Sequence, residues 1–170
     1  VDGSGVHLFV HGREGSRSEA TRSSPRQARE ASRAVARLHG LDAGRVVEAR
    51  QSAAAIDAGA FHNDVVCVGH RDLLLCHARA FDAQDEVLRG LSAGLAGSRG
   101  GGLAALVVPE REVSLADAVR SYLFNAQLVS DGAGRRVLVV PEECREVTSV
   151  AEWLDREDAD ADSPIDRVVV

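Results

Sequence analysis

The chain has 170 residues, which is enough for one domain with a hydrophobic core. Hydrophobic residues make up 45% of the chain and charged residues 27%, as in an ordinary soluble globular protein. The net charge of −6 argues against a general nucleic-acid-binding protein, because phosphate groups are bound by basic surfaces.

The sequence also bears on the cellular compartment. No apolar stretch approaches the roughly 20 residues that span a bilayer, and no signal-peptide pattern is present. The three cysteines form no Cys-x-x-Cys motif, and an odd number without a secretory signal indicates free thiols in a reducing environment. We therefore expect a cytoplasmic protein.

Both ends of the chain suggest a segment of a longer protein. The first residue is Val1 and no methionine occurs anywhere, whereas a translation product normally starts with Met. The last three residues, Val168, Val169 and Val170, form an apolar run that stops abruptly. We expect this chain to be an internal piece of a larger protein.

The N-terminal part predicts two short strands separated by a polar loop and a helix. The sequence VHLFV at 6–10 is typical of a buried strand, and RVVEA at 45–49 of a second, shorter one. Between them, Ser23 or Ser24 can cap a helix that has Pro25 near its first turn and runs to about Leu38. Gly40 ends this helix.

The central part predicts a hairpin, a helix and a further strand. A connecting loop at 55–63 is followed by the strand DVVCVG at 64–69 and, after a tight turn, by DLLLCH at 72–77. An amphipathic helix at about 82–95 comes next, and a glycine cluster ends it. The sequence LAALVV at 103–108 then predicts a strand.

The C-terminal part predicts a second hairpin, helix and strand. Ser114 caps a helix that runs to about Asn125, and the segments at 127–130 and 135–140 form the hairpin. A helical stretch near 146–155 precedes the acidic loop REDADAD and a final strand, IDRVVV.

The order of these elements forms a repeat. Strand, strand, helix and strand follow one another at 64–108 and again at 127–170, and residues 1–50 look like the end of another such unit. A repeated supersecondary unit indicates a modular array in which each unit buries its apolar faces against its neighbours. We therefore interpret residues 1–170 as one partial domain of about two and a half modules. A single complete α/β sandwich is the alternative.

His62 and Asp64 are the first candidates for chemistry. They lie in the sequence FHND at the predicted start of a strand, where residues two apart share a face. A histidine can exchange protons near neutral pH, and a carboxylate beside it can bind a guanidinium group through two oxygens. The alternative is that Asp64 caps the strand and His62 fills a surface gap.

Arg26 is the second candidate. It follows Pro25 in the first turn of the predicted helix, where the helix N-terminus and the guanidinium group both favour an anion. Arg22 and Arg29 are close in sequence, so the alternative is a solvated basic face.

The cysteines and the other histidines show no catalytic or metal-binding pattern. The histidine spacing does not fit a metal site. Cys67 and Cys76 lie in apolar strands and are predicted to be core residues, whereas Cys144 in PEECRE is the most exposed candidate. The acidic neighbours of Cys144 would raise the pKa of its thiol, which disfavours a nucleophilic role.

Six sequence strings carry a family resemblance. They are LFVHGRE at 8–14, SPRQAREASRAVARL at 24–38, AFHNDVV at 60–66, LLLCHARAF at 73–81, SYLFNAQLVS at 121–130 and VVPEECRE at 139–146. In this order and spacing they resemble the bacterial N-succinylarginine dihydrolases, a family of the guanidino-modifying superfamily. The resemblance covers nearly the whole chain. It implies a five-bladed β/α propeller of strand-strand-helix-strand modules, which agrees with the repeat.

The resemblance also implies a reaction. A cysteine thiolate attacks the guanidinium carbon of N2-succinylarginine, ammonia leaves, and water resolves the covalent thiouronium adduct. A second round releases another ammonia and carbon dioxide and leaves N2-succinylornithine. The implied chemistry uses no metal and no other cofactor.

Residue by residue, the resemblance assigns three positions. His62 matches the catalytic histidine, Asp64 matches a substrate-binding residue for the guanidinium group, and Arg26 matches one suited to the succinyl group or α-carboxylate. The family's nucleophilic cysteine and catalytic glutamate are expected outside this chain, and none of the three cysteines present matches the nucleophile. The chain by itself is therefore expected to be inactive.

Two other functions stay open at this point. One is a different guanidino-group hydrolase, such as a relative of arginine deiminase; Arg26 discriminates, because it suits the additional succinyl carboxylate. The other is a small non-catalytic α/β binding module. For the enzyme, the expected partner is the small-molecule substrate, with no nucleic acid and no membrane, and the complete protein is expected to form a homodimer.

Overall fold

The computed structural model describes residues 5–15, 22–96 and 102–170, and shows a mixed α/β fold with small sheets. The strands in these ranges are β1 (His7–His11), β2 (Val46–Arg50), β3 (Cys67–His70), β4 (Leu73–His77), β5 (Ala104–Val108), β6 (Gln127–Ser130), β7 (Arg136–Val139) and β8 (Arg167–Val169). The α-helices are α1 (Arg29–Leu38), α2 (Ala53–Asp57), α3 (Gln84–Leu95), α4 (Leu115–Arg120), α5 (Glu143–Glu146) and α6 (Thr148–Ala159).

The sheets share one way of connecting their strands. β1 and β2 are parallel, and α1 lies between them in the chain. β3 and β4 form an antiparallel hairpin, and β5 is parallel to β4, with α3 as the intervening helix. β6, β7 and β8 have the same order and directions, with α5 and α6 before the third strand. The two three-stranded sheets therefore match the element order that the sequence predicted.

The chain divides into two compact units. The first consists of Val1–Asn63 and Arg79–Leu103, and the second of Asp64–Ala78 and Ala104–Val170, within the described ranges. The helix α3 belongs to the first unit, where it packs against β2. A Cβ atom added at Gly90 of α3 would lie 3.5 Å from Cγ1 of Val47, in ordinary van der Waals contact, so helix and strand lie close together here. The helix α3 therefore packs against β2, although it lies between β4 and β5 in the chain.

The core of the first unit is small and rich in alanine. Its buried apolar residues include Val10, Ala49, Ala55, Ile56, Ala60, Phe81, Val87 and Leu91. Val87 and Leu91 are four residues apart on α3, so one face of this helix is buried, as its apolar periodicity predicted.

The core of the second unit contains larger side chains. The fully buried residues include Trp153, Phe124, Leu75, Leu123, Leu138, Leu154 and Ile165. Burial of one such side chain contributes roughly 1.5–3 kcal/mol, so each of these residues stabilises this unit. Polar contacts also join its two sheets, because Arg136 donates to both carboxylate oxygens of Asp72, at 2.9 and 3.0 Å.

The prediction for the start of α1 was wrong. The helix begins at Arg29 with Ala28 as its N-cap, so neither Ser23 nor Ser24 caps it, and Pro25 does not lie in its first turn. The residues just before α1 are extended beside the end of β1, where the Gly12 N–H donates to the Gln27 carbonyl at 3.0 Å and Arg13 pairs with Ala28. Pairing with this strand satisfies backbone groups that a longer helix would have used.

The C-terminal end of α1 agrees with the sequence. Gly40 has φ +60°, a left-handed conformation that glycine adopts without strain. The Gly40 N–H donates to Arg37 O at 3.1 Å and the Leu41 N–H to Ala36 O at 3.0 Å, which closes the last turn.

The region before β3 also differs from its prediction. The expected loop at 55–63 overlaps the short helix α2, whose cap Ser52 accepts a hydrogen bond from the Ala55 N–H at 3.4 Å. The expected strand from residue 64 begins only at Cys67, because Asn63–Val65 forms a turn of 3-10 helix.

Two helices nearer the C-terminus have different lengths than predicted. Ser114 caps α4 as expected, accepting from the Asp117 N–H at 3.1 Å, but α4 ends at Arg120. Tyr122 then takes φ 54°, which ends the helical path before a separate 3-10 turn. The predicted helix near 146–155 is two helices, and α6 continues to Ala159, inside the stretch expected to be an acidic loop.

Candidate functional site

The carboxyl end of the parallel pair β1–β2 gathers the candidate residues of the first unit. The Gln51 N–H, directly after β2, donates to the carbonyl of His11, the last residue of β1, at 2.8 Å. On the other side of β1, Gly12 pairs with Gln27. Ligand sites in α/β proteins commonly lie beyond the carboxyl ends of parallel strands, so this edge is the natural place for one.

Gly12 makes this arrangement possible. A Cβ atom added at Gly12 would lie 2.2 Å from the Cβ of Pro25 and 3.0 Å from Cδ1 of Ile56. Contacts under 3.0 Å between such atoms cannot persist, so only glycine lets the segment before α1 lie directly against the end of β1.

Arg26 lies in this extended segment and not at the N-terminus of a helix. Its N–H donates to the carbonyl of Phe61 at 3.2 Å, so its main chain is paired one residue before His62. Its side chain is exposed, and within the described ranges no carboxylate pairs with it. The helix-dipole argument for anion binding at Arg26 is therefore wrong, while its charge remains accessible.

The neighbouring arginines of α1 are paired with carboxylates. Glu48 of β2 accepts from Nε of Arg29 and from Nε of Arg33, both at 2.7 Å. The hydrogen bond from Arg33, followed by the interactions with Arg29, lowers the pKa of Glu48 to about 2. Arg29 also contacts Glu14 at 2.8 Å. The predicted basic face is thus partly neutralised, because Arg29 and Arg33 join α1 to β2.

His62 is half-buried, and its main chain accepts a hydrogen bond from another residue of the first unit. The buried side chain of Gln51 donates from Nε2 to the carbonyl of Ala60 and, at 3.4 Å, to that of His62 itself. Sequence reasoning missed Gln51. A polar residue directly after a strand, at the edge where parallel strands end, is the signal that could have identified it.

His11 was also missed by the sequence reasoning. Its imidazole is 3% exposed, and within the described residues neither ring nitrogen has a hydrogen-bond partner. Burial is the main cause that lowers the pKa of His11, the charge of Arg29 adds to it, and Glu14, 3.5 Å from Nε2, opposes it. His11 is therefore a neutral histidine at physiological pH, close to the main chain of Gln51.

Asp64 belongs to the second unit and is exposed in the 3-10 turn Asn63–Val65. The argument that His62 and Asp64 share one face of a strand is wrong, because no strand forms there. The assignment of Asp64 to the substrate therefore depends on the family resemblance and stays a prediction.

The three cysteines are buried and free. Cys67 and Cys76 are core residues, as predicted. The prediction that Cys144 is exposed was wrong, because its side chain is 0% exposed and its Sγ donates to Ser121 O at 3.3 Å. Burial raises the pKa of Cys144 to about 11 and that of Cys76 to about 12. A thiol that is protonated at neutral pH is a poor nucleophile.

The part of the chain that the structure describes shows neither a candidate metal site nor a membrane-spanning helix. Within the described ranges, no group of three or more His, Cys, Asp or Glu side chains could hold a metal ion. No helix in those ranges has the length and apolar character required to cross a bilayer.

Comparison with known proteins assigns the chain to a family. The family model for succinylarginine dihydrolase matches residues 1–170, and the chain belongs to this family. It is 53% identical over 153 residues to an N-succinylarginine dihydrolase of Burkholderia thailandensis, which covers 89% of this chain and 34% of that protein. The corresponding enzyme of Burkholderia ambifaria is 51% identical over 168 residues, covering 98% and 37%. The chain spans about a third of the length of these relatives.

Proposed function

We propose that the complete protein containing this chain hydrolyses N2-succinylarginine to N2-succinylornithine, two molecules of ammonia and carbon dioxide, as a step of arginine breakdown. The observation that carries the proposal is the family match over the whole chain, together with the Burkholderia relatives named for this activity. The attacking thiolate forms a thiouronium adduct as ammonia leaves. Water then releases the cysteine and leaves a ureido group. A second attack expels the second ammonia, water again releases the cysteine, and the resulting carbamate loses carbon dioxide to leave the ornithine amine.

In this proposal the residues of the chain bind the substrate and move protons. His62 transfers protons to the leaving ammonia and from the attacking water. Arg26 binds a carboxylate of the succinylated substrate, which is supported by its exposed side chain and by the paired main chains of Arg26 and Phe61. Asp64 binds the guanidinium group through its exposed carboxylate.

The nucleophile is proposed to lie outside this chain. The raised pKa values of Cys76 and Cys144 and the burial of Cys67 support this assignment. We therefore expect Cys144→Ser to keep kcat within about threefold of wild type in the complete protein, because the hydroxyl can still donate to Ser121 O.

The test is ammonia release from N2-succinylarginine by the complete protein. We expect steady turnover by wild type, and a loss of about 10²–10⁴-fold in kcat for His62→Ala, the usual range for general acid–base catalysis. Arg26→Ala should mainly raise KM, because it removes binding of a substrate group that does not react. Arg89→Ala, an exposed arginine of α3, is the matched control.

Comparing ammonia release from N2-succinylarginine and from free arginine separates this proposal from its alternatives. A deiminase relative would act on free arginine at least as well as on N2-succinylarginine, and a binding module would release no ammonia from either. Unchanged KM for Arg26→Ala would contradict the carboxylate-binding role.

We also infer a cytoplasmic location and a homodimer for the complete protein. The three free thiols support a reducing compartment. The dimer is tested by light scattering coupled to gel filtration, and a monomeric mass would overturn it. The proposed chemistry uses the substrate as its only small-molecule partner and requires no cofactor.

A further inference from the structure

The segment of residues 60–62 has an unusual degree of main-chain fixation. Each of its three successive carbonyls accepts a hydrogen bond from another part of the first unit: Gln51 Nε2 donates to Ala60 O and His62 O, and the Arg26 N–H donates to Phe61 O. The Ala60 N–H also donates to Ala55 O at 2.9 Å. These four hydrogen bonds therefore fix the path of the chain into His62, and the side-chain amide of Gln51 makes two of them.

Gln51 is itself held firmly. It is 4% exposed, it directly follows β2, and its N–H donates to His11 O at 2.8 Å. A primary amide carries two N–H donors, so it can serve two carbonyls at once, whereas an apolar or hydroxyl side chain of this reach cannot. Gln51 thus connects the end of β2 to the backbone of His62 through one buried side chain.

We propose that Gln51 is a positioning residue that sets the main-chain position of His62 for proton transfer. The proposal rests on the function proposed above for His62. Gln51 does not contact the substrate in this scheme; it acts through the carbonyls of Ala60 and His62.

The physical reason is the distance dependence of proton transfer. A displacement of about 1 Å at a catalytic group costs about 10²-fold in rate, because the donor and acceptor leave hydrogen-bond geometry. Substrate binding elsewhere changes much less. Loss of the Gln51 amide should therefore lower kcat far more than it changes KM.

The experiment uses the complete protein with Gln51→Met, which keeps the length of the side chain without its donors, and Gln51→Glu, which places a carboxylate against two carbonyl oxygens. We expect kcat to fall by about 10–100-fold for Gln51→Met and at least as much for Gln51→Glu, with KM changed less than about threefold. Gln127→Met, at an exposed position of β6, is the matched control and should keep wild-type kinetics.

A second control separates positioning from stability. Leu91→Ala removes a buried side chain of α3 in the same unit, so it should lower the thermal midpoint at least as much as Gln51→Met while keeping kcat of the folded enzyme within about twofold. If Gln51→Met keeps wild-type kcat, or if Leu91→Ala loses kcat to the same extent, the positioning role is overturned.

Hydrogen exchange tests the same contact without any substrate. Amides of residues 58–63 should exchange faster in Gln51→Met than in wild type, whereas Gln127→Met should leave them unchanged. If the amides exchange faster in Gln51→Met but the wild-type protein has no activity, Gln51 holds the segment and the proposed function is wrong. Unchanged exchange would overturn the role of Gln51, whatever the activity of the wild type.

Discussion

Gly12 shows how one residue can control the candidate site. Gly12→Ala places a Cβ atom 2.2 Å from the Cβ of Pro25, so the segment that carries Arg26 has to move. We expect a loss of about 1–3 kcal/mol in stability, the usual cost of overpacking, and a higher KM for N2-succinylarginine. Urea unfolding and steady-state kinetics measure the two effects. Gly132→Ala, where an added Cβ meets nothing within 4 Å, should change neither.

His11 predicts a dependence of stability on pH. Its pKa in the folded state is below 6.5, so the unfolded chain binds a proton more strongly than the folded one. The contribution of neutral His11 is therefore fully present above pH 6.5 and is lost as the pH falls toward the lower, folded pKa. When the pH is lowered from 7.5 to 5.5, we expect the unfolding midpoint of His11→Leu to fall less than that of the wild type.

The control for this prediction is His39→Leu, because His39 is an exposed residue just after α1. It should retain the acid sensitivity of the wild type in thermal unfolding measurements. An identical pH dependence in wild type and His11→Leu would show that another group is responsible.

At the level of elements, Glu48 joins α1 to β2. Its folded pKa of about 2 is below the ordinary value of 4.5, so its contribution to stability is present above pH 4.5 and is lost as the pH falls through about 2. The Glu48 side chain is 21% exposed, so solvent screening limits the effect, and we expect Glu48→Gln to cost roughly 1–2 kcal/mol at pH 7.

Chemical unfolding at two pH values checks the prediction for Glu48. The difference between wild type and Glu48→Gln should be smaller at pH 3 than at pH 7, because part of the contribution is already lost. Glu152→Gln, at an exposed position of α6, should have little effect at either pH. A loss that is independent of pH would indicate packing and not charge as the role of Glu48.

At the level of the whole molecule, the two three-stranded sheets predict a rotational repeat. Because β3–β4–β5 and β6–β7–β8 have the same order and directions, we expect their backbones to superpose by rotation about one axis. The family resemblance implies five such modules around that axis, and a crystal structure of the complete protein would test this number. A continuous sheet, or a different number of modules, would contradict the propeller.

The sequence by itself predicted the strands of the described ranges and their order, but it missed α2 and the bounds of several helices. Strands such as LLLCH and the helix at 82–95 were predictable because apolar periodicity and turn residues are local signals, and Gly40 ends α1 for the same reason. The six strings that carry the resemblance likewise need only the sequence. They were sufficient for the family, which the match over residues 1–170 shows.

Only the tertiary structure decided how these elements use their backbone and side chains. Arg26 is outside α1 because the segment before Arg29 pairs with β1, and the helix α3 packs on β2 although it precedes β5 in the chain. The burial of Cys144 and the hydrogen bond from Gln51 to the carbonyl of His62 also depend on the tertiary structure. Burial and hydrogen-bond partners depend on residues distant in the chain, whereas local periodicity reports only which face of an element is apolar.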